Sequence, residues 1–237
     1  MYEFSWDKLD TKALGRALAR KEIPRWVYDE VLVRKPDIEN AMEKIETASD
    51  ISLFPPTHVV PEAIYDVDYN IVVHAHLTLF KGYKYVYPII ELSAPSIIYM
   101  EKSMFLGLLA HEFLHYVVHT VDLHRTIAEL ESKGDFKSPA IVGVIPDREK
   151  MTLEERDRYF YGDPKVWLKD DELIQAVKEL ESKRNSSSGQ AIADKVMKWM
   201  NEGKPMKEFK RGEVVGHKGE IWLHQSIIKR AKKLGLI

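Results

Sequence analysis

The chain has 237 residues, 45% hydrophobic and 30% charged, with 35 Lys and Arg against 37 Asp and Glu and no cysteine. This composition supports a buried core and excludes a disordered chain, while the net charge of −2 excludes a chain-wide polycation for nucleic acid. Without cysteine there is no disulfide, no thiolate catalysis and no cysteine-held metal, so any metal falls to His, Asp or Glu. The amino terminus, MYEFSWDKLD, carries charge where a signal peptide needs an apolar run. No stretch reads as the roughly 18–20 apolar residues of a membrane span, so the expectation is a cytoplasmic protein. Abundant Lys and Glu beside scarce Asn and Gln lean toward a heat-adapted, thermophilic origin.

Residues 7–50 read as helices: Leu9, Ala13, Leu14, Ala17 and Leu18 recur at helical spacing, Pro24 breaks the run, and 37–46 resumes it after Pro36. With the proline-rich break at 53–61, this makes residues 1–60 an N-terminal helical cap. The period then changes. Residues 70–80, a turn at Lys81-Gly82, and residues 83–92 read as two strands of a hairpin, with Pro88 arguing that the second lies at an edge or carries a bulge. From Ser103 an almost wholly apolar helix runs toward Gly134, buried on most sides. Thr152-Leu-Glu-Glu155 is a capping box opening a short helix, and Asp163-Pro164 opens another reaching about Lys183. The core therefore spans 61–184. Asn185-Ser-Ser-Ser-Gly189 reads as a linker over 185–190. Residues 191–237 form a basic helical segment with 11 Lys and Arg against 5 Asp and Glu, which leaves the first 190 residues with a net charge of −8.

The apolar helix carries Leu108-Leu-Ala-His111-Glu112-Phe-Leu-His115-Tyr-Val-Val-His119, which contains HExxH. At about 100° per residue, side chains four apart stand one turn above each other, so His111 and His115 can hold one zinc. Glu112, beside the first of them, is placed to take a proton from an activated water and return it to a leaving amine. An ionisable trio inside an apolar helix needs partners, and a metal is one.

The segment Pro95 to Met100, read as a strand, followed by the helix LLAHEFLHYVVH, resembles the zincin metallopeptidases, in particular gluzincin-like and minimal HExxH members, over about 35 residues. The resemblance implies His111 and His115 as zinc ligands and Glu112 as general base. It also implies an α+β fold in which a small antiparallel sheet lies against the buried HExxH helix, its edge strand gripping an extended peptide. The metzincin branch is excluded, because Val118 and Val121 stand where HExxHxxGxxH needs Gly and His. Gluzincins take a downstream Glu, commonly in ExxxD; Glu131 and Asp135 match those letters, but Gly134 ends the helix there.

A zinc peptidase needs a third protein ligand. On an unbroken helix His119 lies about 12 Å along the axis from His111, too far to share one ion, and His124 needs the helix to turn back near Thr120. Among carboxylates, Asp170 falls within the stripe Val166, Leu173, Val177, Leu180, and Asp157 shares a side with Leu153 and Phe160; these two rank ahead of Glu172. His74 and His76, two apart on a strand and hence on one face, line the cleft, form a second metal site or, the commoner case, pack among aromatics. Tyr83, Tyr85, Tyr87, Tyr159 and Tyr161 are candidate oxyanion donors.

Lys195, Lys198, Lys229, Arg230, Lys232 and Lys233, with Trp199, Met200 and Trp222, suggest two amphipathic helices around a Gly-rich turn at 212–219. They form either a helical cap or a phosphate-contacting surface for nucleic acid. The function expected is thus zinc-dependent hydrolysis of a peptide bond in a protein or peptide substrate. The alternative is a catalytically inactive metal-binding or nucleic-acid-associated adaptor that keeps the zincin scaffold.

Overall fold

The computed structural model describes residues 7–67, 70–81, 85–132, 163–184, 186–209 and 220–237. The fold is mixed α and β, consistent with an α+β architecture. Strand β1 (Leu9–Asp10) precedes helix α1 (Lys12–Ala19), so Leu9, expected in a helix, begins the sheet instead. Helix α2 (Arg25–Ser49) starts at Pro24 and runs through Pro36 without stopping. A proline inside a helix forfeits one backbone hydrogen bond. Here Val27, Val31, Ile38, Met42 and Ile45 form one buried stripe across it, and that burial offsets the loss.

Two sheets follow. Strands β2 (Thr57–Val60), β5 (Ala75–Lys81) and β6 (Tyr85–Ser93) join β1 in the order β1-β2-β6-β5. Strands β3 (Ala63–Asp66), β4 (Ile71–Val73) and β7 (Met206–Phe209) form a second sheet, β4-β3-β7. The expected hairpin is present as β5 and β6, antiparallel from Ala75 opposite Leu92 to Lys81 opposite Val86. Its first strand is shorter than expected, because the chain changes sheets at His74. The main sheet is mixed rather than antiparallel: β1 pairs parallel with β2, and β2 parallel with β6. After β2 the chain builds β3 and β4 elsewhere and returns in the same direction, the crossover that parallel neighbours require.

Pro88 does not mark an edge, since β6 is paired on both sides. Its far side is shared: β8 (Glu220–Ile221) pairs with Tyr85 and Val86, while β2 pairs with Ile90 to Ser93. Pro88 falls in the gap between those partners, where its missing N–H leaves no ladder bond unmade.

Residues 95–100 are helical rather than extended. Helix α3 (Ala94–Tyr99) is opened by the Ser93 side chain, which accepts from the Ser96 N–H, and by an early proline. Helix α4 (Met104–Ser132) is the expected apolar helix, continuous past Thr120. Contrary to expectation, its stretch Met104–Glu129 is long and apolar enough to cross a membrane, with a mean hydropathy of 1.2. However, 72% of that window is buried within the protein, as in the core helix of a soluble fold.

The helix expected over 164–183 is two, α5 (Pro164–Trp167) and α6 (Asp171–Arg184). Asp163 caps the first as expected. The serine-rich run read as a linker begins helix α7 (Ser187–Asn201), whose first turn is capped by Ser186 accepting from Gly189 N–H. Helix α8 (Gln225–Lys233) is the second basic helix. Between α7 and α8 lie β7 and β8, which the helical reading of this segment did not anticipate. They pair with β3 and β6, and Val196, Trp199 and Ile227 join the same core as Leu9 and Phe113.

Candidate metal and active site

Phe113, Leu114 and Val117 are fully buried and Leu109 nearly so, and they fix α4 in the core. That packing leaves His111 and His115 side by side, one turn apart. Their Nε2 atoms approach to 2.9 Å, with ring planes at 78°. Two nitrogens bound tetrahedrally to one zinc at about 2.0–2.1 Å stand about 3.3 Å apart, so a spread of a few tenths of an ångström converts this contact into a two-nitrogen donor set. Glu112, between them in sequence, is buried at 6% exposure.

Helix α6 lies against α4, and Gly107 is the reason it comes so close. A Cβ on Gly107 would stand 2.5 Å from the Ala176 carbonyl oxygen. One helical turn on from Gly107, His111 presents Nδ1 to Glu181 of α6, with Oε1 at 3.8 Å. With Nε2 directed to His115, a carboxylate lies on the Nδ1 side, where in a metal-binding histidine such a group fixes tautomer and ring orientation; at 3.8 Å it stands just beyond hydrogen-bond length. Glu181 was missed in the sequence because Leu180 closes the apolar stripe and nothing local singles out the next residue. Leu173, Val177 and Glu181 recur every four residues, which turns the carboxylate toward α4 with its side chain still 38% exposed.

Asp170 is elsewhere and occupied. The chain breaks between Trp167 and Asp171, which resets the helical phase, and Asp170 Oδ1 caps α6 by accepting from Glu172 N–H at 2.8 Å and Leu173 N–H at 3.2 Å. It lies about 16 Å along the helix from Glu181. Val166, placed in the buried stripe from the sequence, is exposed. Glu172 is exposed and pairs with Lys44 at 2.5 Å. Asp157, Tyr83, Tyr159 and Tyr161 lie outside the described residues. Among the described residues, no three His, Asp or Glu side chains are grouped closely enough to hold a metal. Asp170→Ala is expected to cost about 1 kcal/mol through loss of the cap, with zinc content unchanged. Thermal unfolding and elemental analysis check this, and loss of zinc would restore Asp170 as a ligand.

The remaining histidines have separate settings. His74, at the sheet change, contacts Ser96 Oγ through Nδ1 at 3.0 Å, whereas His76 contacts Glu91 at 2.9 Å. The two therefore do not share a face of one strand. Glu91 also accepts from Lys207 at 2.5 Å, and these two partners hold its carboxyl down at about 2 against the cost of burial. In register across four strands stand Asp10, His58, Glu91 and His76, an alternating row of carboxylates and imidazoles. His58 is lowered from its usual value by burial, against the pull of Asp10 and Glu91. Tyr85 meets Tyr87 edge-on, Tyr87 lies tilted against Trp222, and Trp222 meets His224 edge-on. Burial lowers both His119 and His224 to about 4. His224 is 3% exposed, with Ser226 Oγ 3.0 Å from Nδ1.

This fixes the sign of a pH effect. The unfolded chain binds a proton at His58, His119 and His224 near pH 6.5, where the folded protein resists it. Stability is therefore full above that value and falls as pH drops toward about 4. Glu91 adds its own loss only between about 4.5 and 2. The urea midpoint is expected to decline between pH 6.5 and 4.5, less steeply in His224→Phe; a flat wild-type profile would show that these rings take up protons in place.

The basic residues of the tail are partly engaged within the fold. Arg230 is buried and pairs with Asp50 at 3.4 Å, and Lys195 lies over the Tyr99 ring at 5.8 Å. No protein-family model matches the chain, and no curated protein or solved structure matches it.

Proposed function

We propose that the protein is a zinc-dependent peptidase of zincin type. The convergence of His111 and His115 Nε2 atoms beside buried Glu112 carries this reading. In it, His111 and His115 hold zinc through Nε2, and Glu181 of α6 supports His111 from its Nδ1 side. A bound zinc lowers the pKa of its water to about 7 and polarises a carbonyl. Glu112 takes the proton of the attacking water on a carboxylate oxygen and delivers it to the leaving amide nitrogen, which makes peptide-bond cleavage a proton relay through one residue.

Strand β5 supports the choice of an extended substrate. Among the described residues no strand pairs with its outer edge. Leu79 faces Pro88, which has no N–H, so this is a non-hydrogen-bonded pair and the backbone groups of Ala75, Leu77, Leu79 and Lys81 point outward. Those are the groups that an added strand would use. We place the activity in the cytoplasm, on the cysteine-free composition.

A second reading rests on the same contact, because 2.9 Å is also the length of a hydrogen bond between two neutral imidazoles. In that case the protein is a catalytically inactive adaptor that keeps the scaffold. Elemental analysis separates the two. About one zinc per chain, lost in His111→Ala and in His115→Ala, is the expected result; a metal-free native protein that takes up no added zinc sinks the peptidase reading.

A further inference from the structure

We infer that Tyr116 is a positioning residue for the metal site, holding α4 at a fixed rotation against the sheet so that His111 meets Glu181; this rests on the zinc reading above. The gap at Pro88 is the starting point. Val86 O accepts from Trp222 N–H at 2.8 Å and Ile90 N–H donates to Pro56 O at 2.9 Å, both on the side of β6 away from β5. Alternation puts the Pro88 carbonyl on that same side, between two strands that do not reach it. A buried carbonyl there needs a donor. The Tyr116 phenol supplies it, donating to Pro88 O at 3.0 Å from a fully buried side chain. Burial keeps that phenol protonated far above its ordinary range. The His224 ring meets the Tyr116 ring edge-on, at 6.2 Å and 87°, so the chain leaving β8 closes over the contact.

On the helix, Tyr116 stands about 100° around from His115 and about 140° from His111. It faces the sheet while the histidine pair faces α6. An imidazole nitrogen about 6 Å off the axis swings by about 1 Å for a 10° rotation of the helix. Such a rotation leaves the spacing between His111 and His115 unchanged, because both ride on α4. It changes the distance from His111 to Glu181, which belongs to another helix. The anchor therefore acts on the relation between the pair and the carboxylate.

Zinc affinity, measured by chelator competition on the full chain, tests this without reference to turnover. Glu181→Gln is expected to weaken zinc binding about 10–100-fold, the usual effect of losing a carboxylate that supports a metal-binding histidine. Tyr116→Phe, which keeps the ring and removes only the donor, is expected to weaken it about tenfold. The double variant should bind no more weakly than Glu181→Gln alone, since both changes break one contact. Val121→Ala, a buried truncation on the same helix, should lower the melting temperature and leave affinity within about twofold. The inference is overturned if Tyr116→Phe binds zinc like the wild type, if the two losses multiply, if Glu181→Gln is without effect, or if Val121→Ala weakens binding as much as Tyr116→Phe. A wild-type protein that binds no zinc overturns the zinc reading itself, and this inference with it.

Discussion

Glu112→Gln is expected to lower turnover of an unfolded protein substrate about 10²–10⁴-fold while zinc stays bound. The amide fills the space of the carboxylate and cannot accept a proton, so the substitution isolates proton transfer from metal binding. His111→Ala and His115→Ala are expected to lose both, because each removes a nitrogen from the convergent pair. Unchanged cleavage by a zinc-loaded Glu112→Gln protein would remove Glu112 from the chemistry and the peptidase mechanism with it.

The helix bearing the histidines was legible because its signals are local. An apolar run without Gly or Pro beyond Gly107 specifies a buried helix, and the four-residue spacing specifies which side chains meet. The carboxylate opposite them was not legible for a reason equally local. Asp163-Pro164 is a strong helix start, and nothing in the next few residues announces that the helix lasts only to Trp167. Carrying the phase through the break puts Asp170 on the buried face, while Glu181, one turn beyond Val177, carries no local signal that sets it apart from the other carboxylates of α6. The capping hydrogen bonds from Glu172 and Leu173 show what Asp170 does instead.

The strands fared differently. The β5–β6 hairpin joins neighbours in sequence, and its alternation survived the reading. The parallel pairing of β2 with β6, and of β7 with β3, brings together segments far apart in the chain, whose register is set by packing and not by local pattern. Pro88 shows the same limit: its rule is correct, since no ladder bond is lost there, yet the gap that satisfies it is built by β8, more than a hundred residues away. At 95–100 the cue was present and outweighed, because Ser93 and Pro95 are a helix start placed immediately after a strand rich in Ile and Tyr.

Gly107→Ala should destabilise the protein and weaken its zinc site together. Alanine is the better helix former by about 1 kcal/mol, so in open surroundings the change would help. At this position the new Cβ would stand 2.5 Å from Ala176 O, 3.1 Å from Ala176 C and 3.3 Å from Leu180 Cβ. Two of these atoms are backbone, so relief requires α6 to move as a body, and overpacking of this kind costs about 1–3 kcal/mol. With two backbone atoms in the way the clash outweighs the propensity gain, and a net loss of up to about 2 kcal/mol should lower the melting temperature by a few degrees. Leu180 is the residue before Glu181, so the displacement that relieves the clash also carries the carboxylate away from His111, and chelator competition should find weaker zinc binding. Gly15 provides the opposite case on α1. A Cβ there meets only Tyr28 Cε2, at 3.8 Å, so Gly15→Ala should raise the melting temperature slightly and leave zinc affinity unchanged. Equal melting shifts for the two variants would mean that α6 yields freely at Ala176, and that the close approach at Gly107 does not fix where Glu181 lies.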